Sequence, residues 1–145
     1  MKRLYCLFLC LILNICYSST ALASDYTYSS TTTEILDDGS YIETTIKTNT
    51  SINLFSSTFT KNGQKTSTYK DSSGKIYWSI TVNGNFSYNG SSSKCTSSTI
   101  STTCPSKLWK LSSKSSGKSG ATATASVVAK RYTNGSITKT IVNGR

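Results

Sequence analysis

From Ile76 to Tyr88 the chain alternates. Ile76, Trp78, Ile80 and Val82 fall on one face, and Lys75, Tyr77, Ser79 and Thr81 on the other. That is the period of a half-buried strand. Asn83-Gly84 has the composition of a two-residue hairpin turn, but phase argues against one. In such a hairpin Val82 and Asn85 would pair on one face, sending Phe86 and Tyr88 to the side opposite Ile80. In a strand that runs through Gly84, Phe86 and Tyr88 stay with Trp78 and Ile80. The pattern predicts one long strand over about 75–88, with Gly84 marking a bend or a close backbone approach.

Turn signals divide the rest of the chain: Asp37-Asp38-Gly39, Asn62-Gly63, Ser72-Ser73-Gly74, Asn89-Gly90, Ser116-Gly117 and Asn134-Gly135. The β-branched or aromatic runs between them predict strands over 31–36, 41–48, 53–60, 65–70, 95–101, 108–115, 121–132 and 137–142. With the long strand this makes about nine, and no stretch has a period of 3.6. The fold class expected is all-β, an antiparallel β-sandwich of about nine short strands, with an open barrel as the alternative. Ala121, Ala123, Ala125, Val127 and Ala129 give one strand a face of small side chains, suited to lie opposite Trp78 and Phe86.

Composition narrows the function classes. The chain has no His, so imidazole is missing for a general base or a metal ligand, and the commonest hydrolytic triads and zinc sites are excluded. Residues 1–23 have the three parts of a secretory signal: Lys2 and Arg3, an apolar run over 4–17, and Ala21-Leu22-Ala23 before Ser24. The expected organisation is a signal peptide over 1–23 and a single exported β domain over 24–145. The apolar run is shorter than the roughly 20 residues of a membrane-spanning helix. Cys6, Cys10 and Cys16 fall inside it, each preceded by a bulky residue, which disfavours lipid attachment. Cys95 and Cys104 remain. In an exported chain they read as one disulfide with eight residues between the two cysteines, the other reading being two free thiols.

Leu, Ile, Val and Phe make up 20 of the 122 residues that follow the signal, few enough to suggest disorder. Seven Tyr and two Trp in the same stretch, a single Pro (Pro105) and the alternation favour a folded domain. The 28 Ser and 23 Thr then read as solvent faces of a thin-cored sheet.

Charge is uneven. Residues 24–60 carry a net charge of −4 and residues 61–145 of +12. Lys107, Lys110, Lys114, Lys118, Lys130 and Arg131, with Trp109 and Tyr132 among them, are the candidate surface for an anionic polymer. The plainer reading is that these cations solubilise the sheet and protect its edges. Other motifs are accounted for by composition. About three Ser-x-x-Lys/Arg pairs are expected by chance, and five Ser-x-x-Lys pairs are present, Ser67/Lys70 and Ser115/Lys118 among them. Gly117-Lys118-Ser119 lacks the first glycine of a phosphate loop. Asp37-Asp38-Gly39 reads as a turn before it reads as a carboxylate pair. The sequons at Asn49, Asn85, Asn89 and Asn134 follow from the hydroxyl content.

From Ser73 onward, Ser73-Gly74, Trp78, Thr81, Phe86, Tyr88-Asn89-Gly90-Ser91, Cys95-Thr96-Ser97, Trp109-Lys110, the Ala/Thr run over 121–125 and Lys130-Arg131-Tyr132 resemble a group of small secreted all-β proteins of Gram-positive bacteria. The resemblance covers the C-terminal half and transfers no catalytic residue. It implies secretion and an all-β fold. In that group a later strand carries the partner of the first cysteine; here Cys104 stands as the substitute, the alternative being that a final strand is missing. The combined expectation is a secreted, extracellular or wall-associated, non-enzymatic β-sandwich without cofactor or metal. Its basic half would bind an anionic wall polymer or polysaccharide. The competing expectation is a bacteriocin-like or membrane-active effector.

Overall fold

The computed structural model describes residues 26–51 and 58–143. The segment expected to be a signal, residues 1–23 with Cys6, Cys10 and Cys16, lies outside the described residues. Among the described residues, eight antiparallel strands form two sheets: β1 (Tyr26–Ile35), β2 (Tyr41–Ser51), β3 (Phe59–Lys70), β4 (Ile76–Tyr88) and β5 (Ser93–Thr103) in one, and β6 (Trp109–Ser119), β7 (Thr122–Thr133) and β8 (Ser136–Asn143) in the other. Each sheet is a meander, ordered β1-β2-β3-β4-β5 and β6-β7-β8. β7 packs over β4 and β5, and β6 lies against β5. The result is a sandwich of unequal layers. Among the described residues no helix is long and apolar enough to cross a membrane.

The long strand through Gly84 is present, and its reason is a close approach. A Cβ on Gly84 would lie 2.7 Å from the Phe86 ring and 2.8 Å from Cβ of Ala123 in the opposite sheet. Gly84 pairs with Gly63 on β3, and a Cβ there would also meet Phe86, at 3.2 Å. The ring thus lies over two facing glycines, covering backbone that no side chain of their own protects. This corrects the turn expected at Asn62-Gly63. That glycine sits inside β3, so the expected strands over 53–60 and 65–70 are one along the described residues, with 53–57 outside them. Among the described residues, eight strands replace the nine expected. The turn expected at Ser116-Gly117 lies inside β6 as well; the chain reverses instead at Gly120-Ala121, where Gly120 has φ +52°.

The remaining turns fall where their residues place them. Asn134 and Gly135 both have positive φ in a two-residue hairpin, as a type I′ turn requires. In the β3–β4 turn Asp71 Oδ1 accepts hydrogen bonds from Ser73 N–H and Lys75 N–H, both at 3.0 Å, and from Ser73 Oγ at 2.6 Å, the side chain mimicking a backbone turn. Just beyond it, Tyr69 pairs with Trp78 while Lys70 pairs with Ile76. Tyr77 is therefore the extra residue of a bulge. The bulge turns its ring onto the aromatic cluster, 5.9 Å from Tyr69 and 6.4 Å from Trp109.

The core occupies one end of the sandwich. Tyr69, Trp78 and Ile80 from the larger sheet meet Trp109, Val127 and Ala129 from the smaller. Tyr69 stacks on Trp78 at 5.4 Å and meets Trp109 edge-on at 5.0 Å. Trp78, Val127 and Ala129 are fully buried, so the small face of β7 does lie opposite the largest side chain of β4. The indole N–H of Trp78 is buried with no partner among the described residues. That costs about 1–3 kcal/mol, comparable with the roughly 1.5–3 kcal/mol gained by burying one large apolar side chain.

A polar clasp closes the same end. Lys139 on β8 reaches across to the β1–β2 turn, where Nζ hydrogen-bonds to Asp38 Oδ2 and to Ser40 Oγ, and it also donates to Tyr69 Oη at 3.2 Å. Asp38 accepts from Ser40 as well. The Lys139 hydrogen bond, and then that of Ser40, hold the Asp38 carboxyl well below the usual carboxylate range. Burial pushes the Lys139 ammonium down, its hydrogen bonds to Asp38 and Tyr69 push it up, and the net shift is upward.

Cys95 and Cys104 do not pair with each other. Cys95 is buried near the start of β5 and Cys104 follows the end of the same strand; both are free thiols. Nine residues of extended chain separate their Cα atoms by about 30 Å, against the roughly 7 Å limit for a disulfide. The expected Cys95–Cys104 bond is thereby corrected. Cys104 Sγ donates hydrogen bonds to the carbonyls of Ser106 and Trp109, and burial raises its thiol above the ordinary range.

Two outcomes are expected. Mass measurement of the denatured protein after alkylation without reductant should show both Cys95 and Cys104 modified; an unmodified pair that becomes reactive only after reduction would contradict the fold. Asp38 is depressed in the folded state, so its contribution to stability is present above its unfolded pKa and is lost as pH falls from about 5 towards about 2. Asp38→Asn should therefore lower Tm at neutral pH and lessen the fall of Tm across that acid range. An unchanged pH profile would rule the clasp out as a source of stability.

Candidate anion-binding surface

The three-stranded sheet carries Lys110, Lys114, Lys118, Lys130, Arg131 and Lys139 and no Asp or Glu. Strand alternation fixes where they point. Trp109 on β6 and Ala129 on β7 face the core, so Lys110 and Lys130, one residue on, face outward. They are direct cross-strand partners. Two like charges opposite each other on a sheet are unfavourable. Tyr132 relieves part of that: Lys110 Nζ lies 5.1 Å from the centre of its ring, within reach of a cation–π attraction. Tyr132 N–H is anchored to the carbonyl of Leu108 at 2.8 Å, which ties the end of β7 to the segment entering β6.

The other expected members are dispersed. Lys107 is exposed in the β5–β6 connection. Lys114 lies in a bulge where Ser112 and Ser115 pair with Val128 and Ser126 and Ser113 adopts φ +50°; its charge reaches the Cys104 thiol, on the β5 side. Lys118 is eight residues along β6 from Lys110, about 25 Å away, and its Nζ hydrogen-bonds to the carbonyl of Thr96 on β5. Arg131 is exposed, cross-strand from Trp109 and Lys139. The sheet thus gathers Lys110, Lys130 and Tyr132 into one patch and spreads the remaining cations around it.

Trp109 does not belong to the surface. It is 4% exposed, its ring set edge-on to Tyr69 at 5.0 Å and tilted against Trp78 at 6.3 Å, which corrects its expected place among the exposed aromatic residues. The apolar phase Trp109, Leu111 on either side of Lys110 carried the signal for an inward ring. Sequence reasoning also passed over Lys139. Ile137-Thr138-Lys139-Thr140-Ile141 puts that lysine in the phase of two isoleucines, the mark of a cation turned towards the opposite sheet.

The two roles separate by mutation. Trp109→Ala should destabilise the fold by about 3–5 kcal/mol, as for other buried aromatic truncations, whereas Lys110→Ala should change stability by less than about 0.5 kcal/mol. Denaturant unfolding measures both; a Trp109→Ala protein as stable as the parent would return that ring to the surface.

Comparison with known protein families, with curated proteins and with solved structures finds no match for this chain.

Proposed function

We propose that the chain is an exported, non-enzymatic binding domain that holds an anionic polymer, a wall polymer or acidic polysaccharide, against the outer face of its three-stranded sheet. The observation that carries this reading is the Lys110–Lys130 cross-strand pair beside Tyr132, on a sheet with no carboxylate. A bridging anion turns that unfavourable pair into a favourable site, and the tyrosine offers a flat surface to a sugar ring. The lack of His agrees with a binding role.

Heparin serves as the probe. The protein without residues 1–23 should be retained at low ionic strength and released as salt rises, because exposed charge pairs are screened. Lys110→Ala/Lys130→Ala should elute earlier, with the slope of log affinity against log salt reduced by about two. Lys94→Ala, at an exposed lysine of the other sheet, should elute with the parent. Absence of retention at low salt, or co-elution of the double variant with the parent, would reject the reading. Dye release from anionic vesicles would favour the membrane-active alternative; the expected result is none.

A further inference from the structure

Side-chain amides are poor strand formers, depleted from sheets in favour of β-branched and aromatic residues. Six lie in the described strands; one, Asn143, ends β8, and the other five meet in the middle of the larger sheet. Asn62-Gly63-Gln64 on β3 runs antiparallel to Asn83-Gly84-Asn85 on β4 with glycine opposite glycine, so Asn62 pairs with Asn85 and Gln64 with Asn83. Asn49 on β2 pairs with Asn62 from the other side. Tyr69, Trp78 and Ile80 hold the inward phase of β3 and β4, so all five amides project from the outer face.

Together they form two rows, Gln64 with Asn83 and Asn49 with Asn62 and Asn85. Between the rows lies a strip of backbone at Thr48, Gly63 and Gly84, and the whole is a shallow trough of about 330 Å³. It crosses four strands, from Thr27 on β1 to Asn85 on β4, about 14 Å at ordinary strand spacing. Lys47 is the one charged residue that lines it. Fold stability does not account for the amides. The next row on the same strands uses threonine and closes its own hydroxyl bonds, Thr31 with Thr45 and Thr66 with Thr81. Among the described residues, the one side-chain hydrogen bond made by the five is Gln64 Nε2 to Asn83 Oδ1, at 2.9 Å. Residues that break a local preference without structural return mark functional positions.

We propose that this trough binds a neutral, extended glycan of the cellulose or chitin type, laid across the strands. Each side-chain amide offers N–H donors and a C=O acceptor in one plane, the complement of sugar hydroxyls that both donate and accept. The rows stand about 7 Å apart, two residues along a strand, one on each side of a floor whose N–H and C=O groups are spent in the ladders to neighbouring strands. A glycan of this type is a flat ribbon with equatorial hydroxyls along both edges and C–H groups on its faces. Its edges meet the two rows, and one face lies on the floor. An amylose-type chain coils and meets one row at most, and a polyanion finds a single lysine. The site lies on the other sheet from Lys110 and Lys130 and does not rest on the anionic-polymer reading.

The test titrates cellohexaose and, separately, chitohexaose into the protein without residues 1–23, followed by NMR shifts of the backbone amides. At least one should bind saturably, with shifts centred on residues 47–49, 62–64 and 83–85, and maltohexaose at the same concentrations should not. Asn62→Val/Asn85→Val puts strand-favoured side chains where amides stand. It should bind at least about tenfold more weakly, with a Tm equal to or above the parent's and unchanged retention on heparin. Asn49→Val alone, on a different strand, should weaken binding about threefold. Several results would overturn the proposal: binding of neither hexasaccharide, equal binding of maltohexaose, undiminished binding by the double variant and by Asn49→Val, or a lowered Tm in both, which would assign the amides to the fold. Displacement of the bound hexasaccharide by heparin would do so as well. Failure of heparin retention in the parent bears only on the three-stranded sheet and leaves this outcome distinct.

Discussion

Two tryptophans, one from each sheet, set the relation between the layers. Trp78 rises from β4 and Trp109 from β6, with Tyr69 stacked on one and edge-on to the other. A five-stranded sheet under a three-stranded one has no symmetry to align it, and the rest of the buried set is small. The aromatic cluster therefore decides both the separation of the sheets and which strands lie opposite which. Ala129 and Val127 are small enough to admit it, and the bulge at Tyr77 adds a further ring from a position whose phase would otherwise face solvent. The Lys139 clasp closes over the same end, so apolar and polar links between the sheets act together rather than at opposite ends.

Much of this architecture was legible because the strand period is short and leaves little ambiguity. Phase alone excluded a turn at Asn83-Gly84. The same argument applied at Asn62-Gly63: Phe59, Gly63, Ser67 and Tyr69 share a phase, which a turn at Gly63 would have broken. Turn composition outweighed it, since Asn-Gly fits a hairpin and a glycine facing a glycine cannot be seen in one strand. Trp109 was misplaced for a related reason. The bulge at Ser113-Lys114 cuts its strand's alternation short, and the lysines around it resemble a surface. The cysteine pair failed on geometry that composition does not contain: two thiols close in sequence are far apart when the chain between them is straight. The Lys110–Lys130 pair was legible as composition but not as a patch, because only the register of β6 against β7 makes neighbours of residues twenty apart.

The hydroxyl content acquires a structural role at the same time. Thr31 pairs with Thr45, Thr66 with Thr81, Ser79 with Thr103 and Ser115 with Ser126 through cross-strand hydroxyl contacts of 2.6–3.1 Å. Such pairs add to sheet stability in small increments and leave the faces uncharged, which lets the few ionic features dominate the surface locally.

Uniform hydroxyl faces carry a cost in information. If β3 slid by two residues against β4, Thr68 would take the place of Thr66 opposite Thr81, every side chain would stay on its proper face, and the exchanged pairs would be nearly equivalent. What the slipped arrangement cannot reproduce is the Gly63–Gly84 seat beneath Phe86 or the Tyr69–Trp78 stack. The native alignment is thus encoded at a few sparse positions, much as a checksum is, while most of the strand sequence is redundant. Substitutions among the hydroxyl residues should drift freely, and errors of alignment during folding are detected only when those few side chains meet.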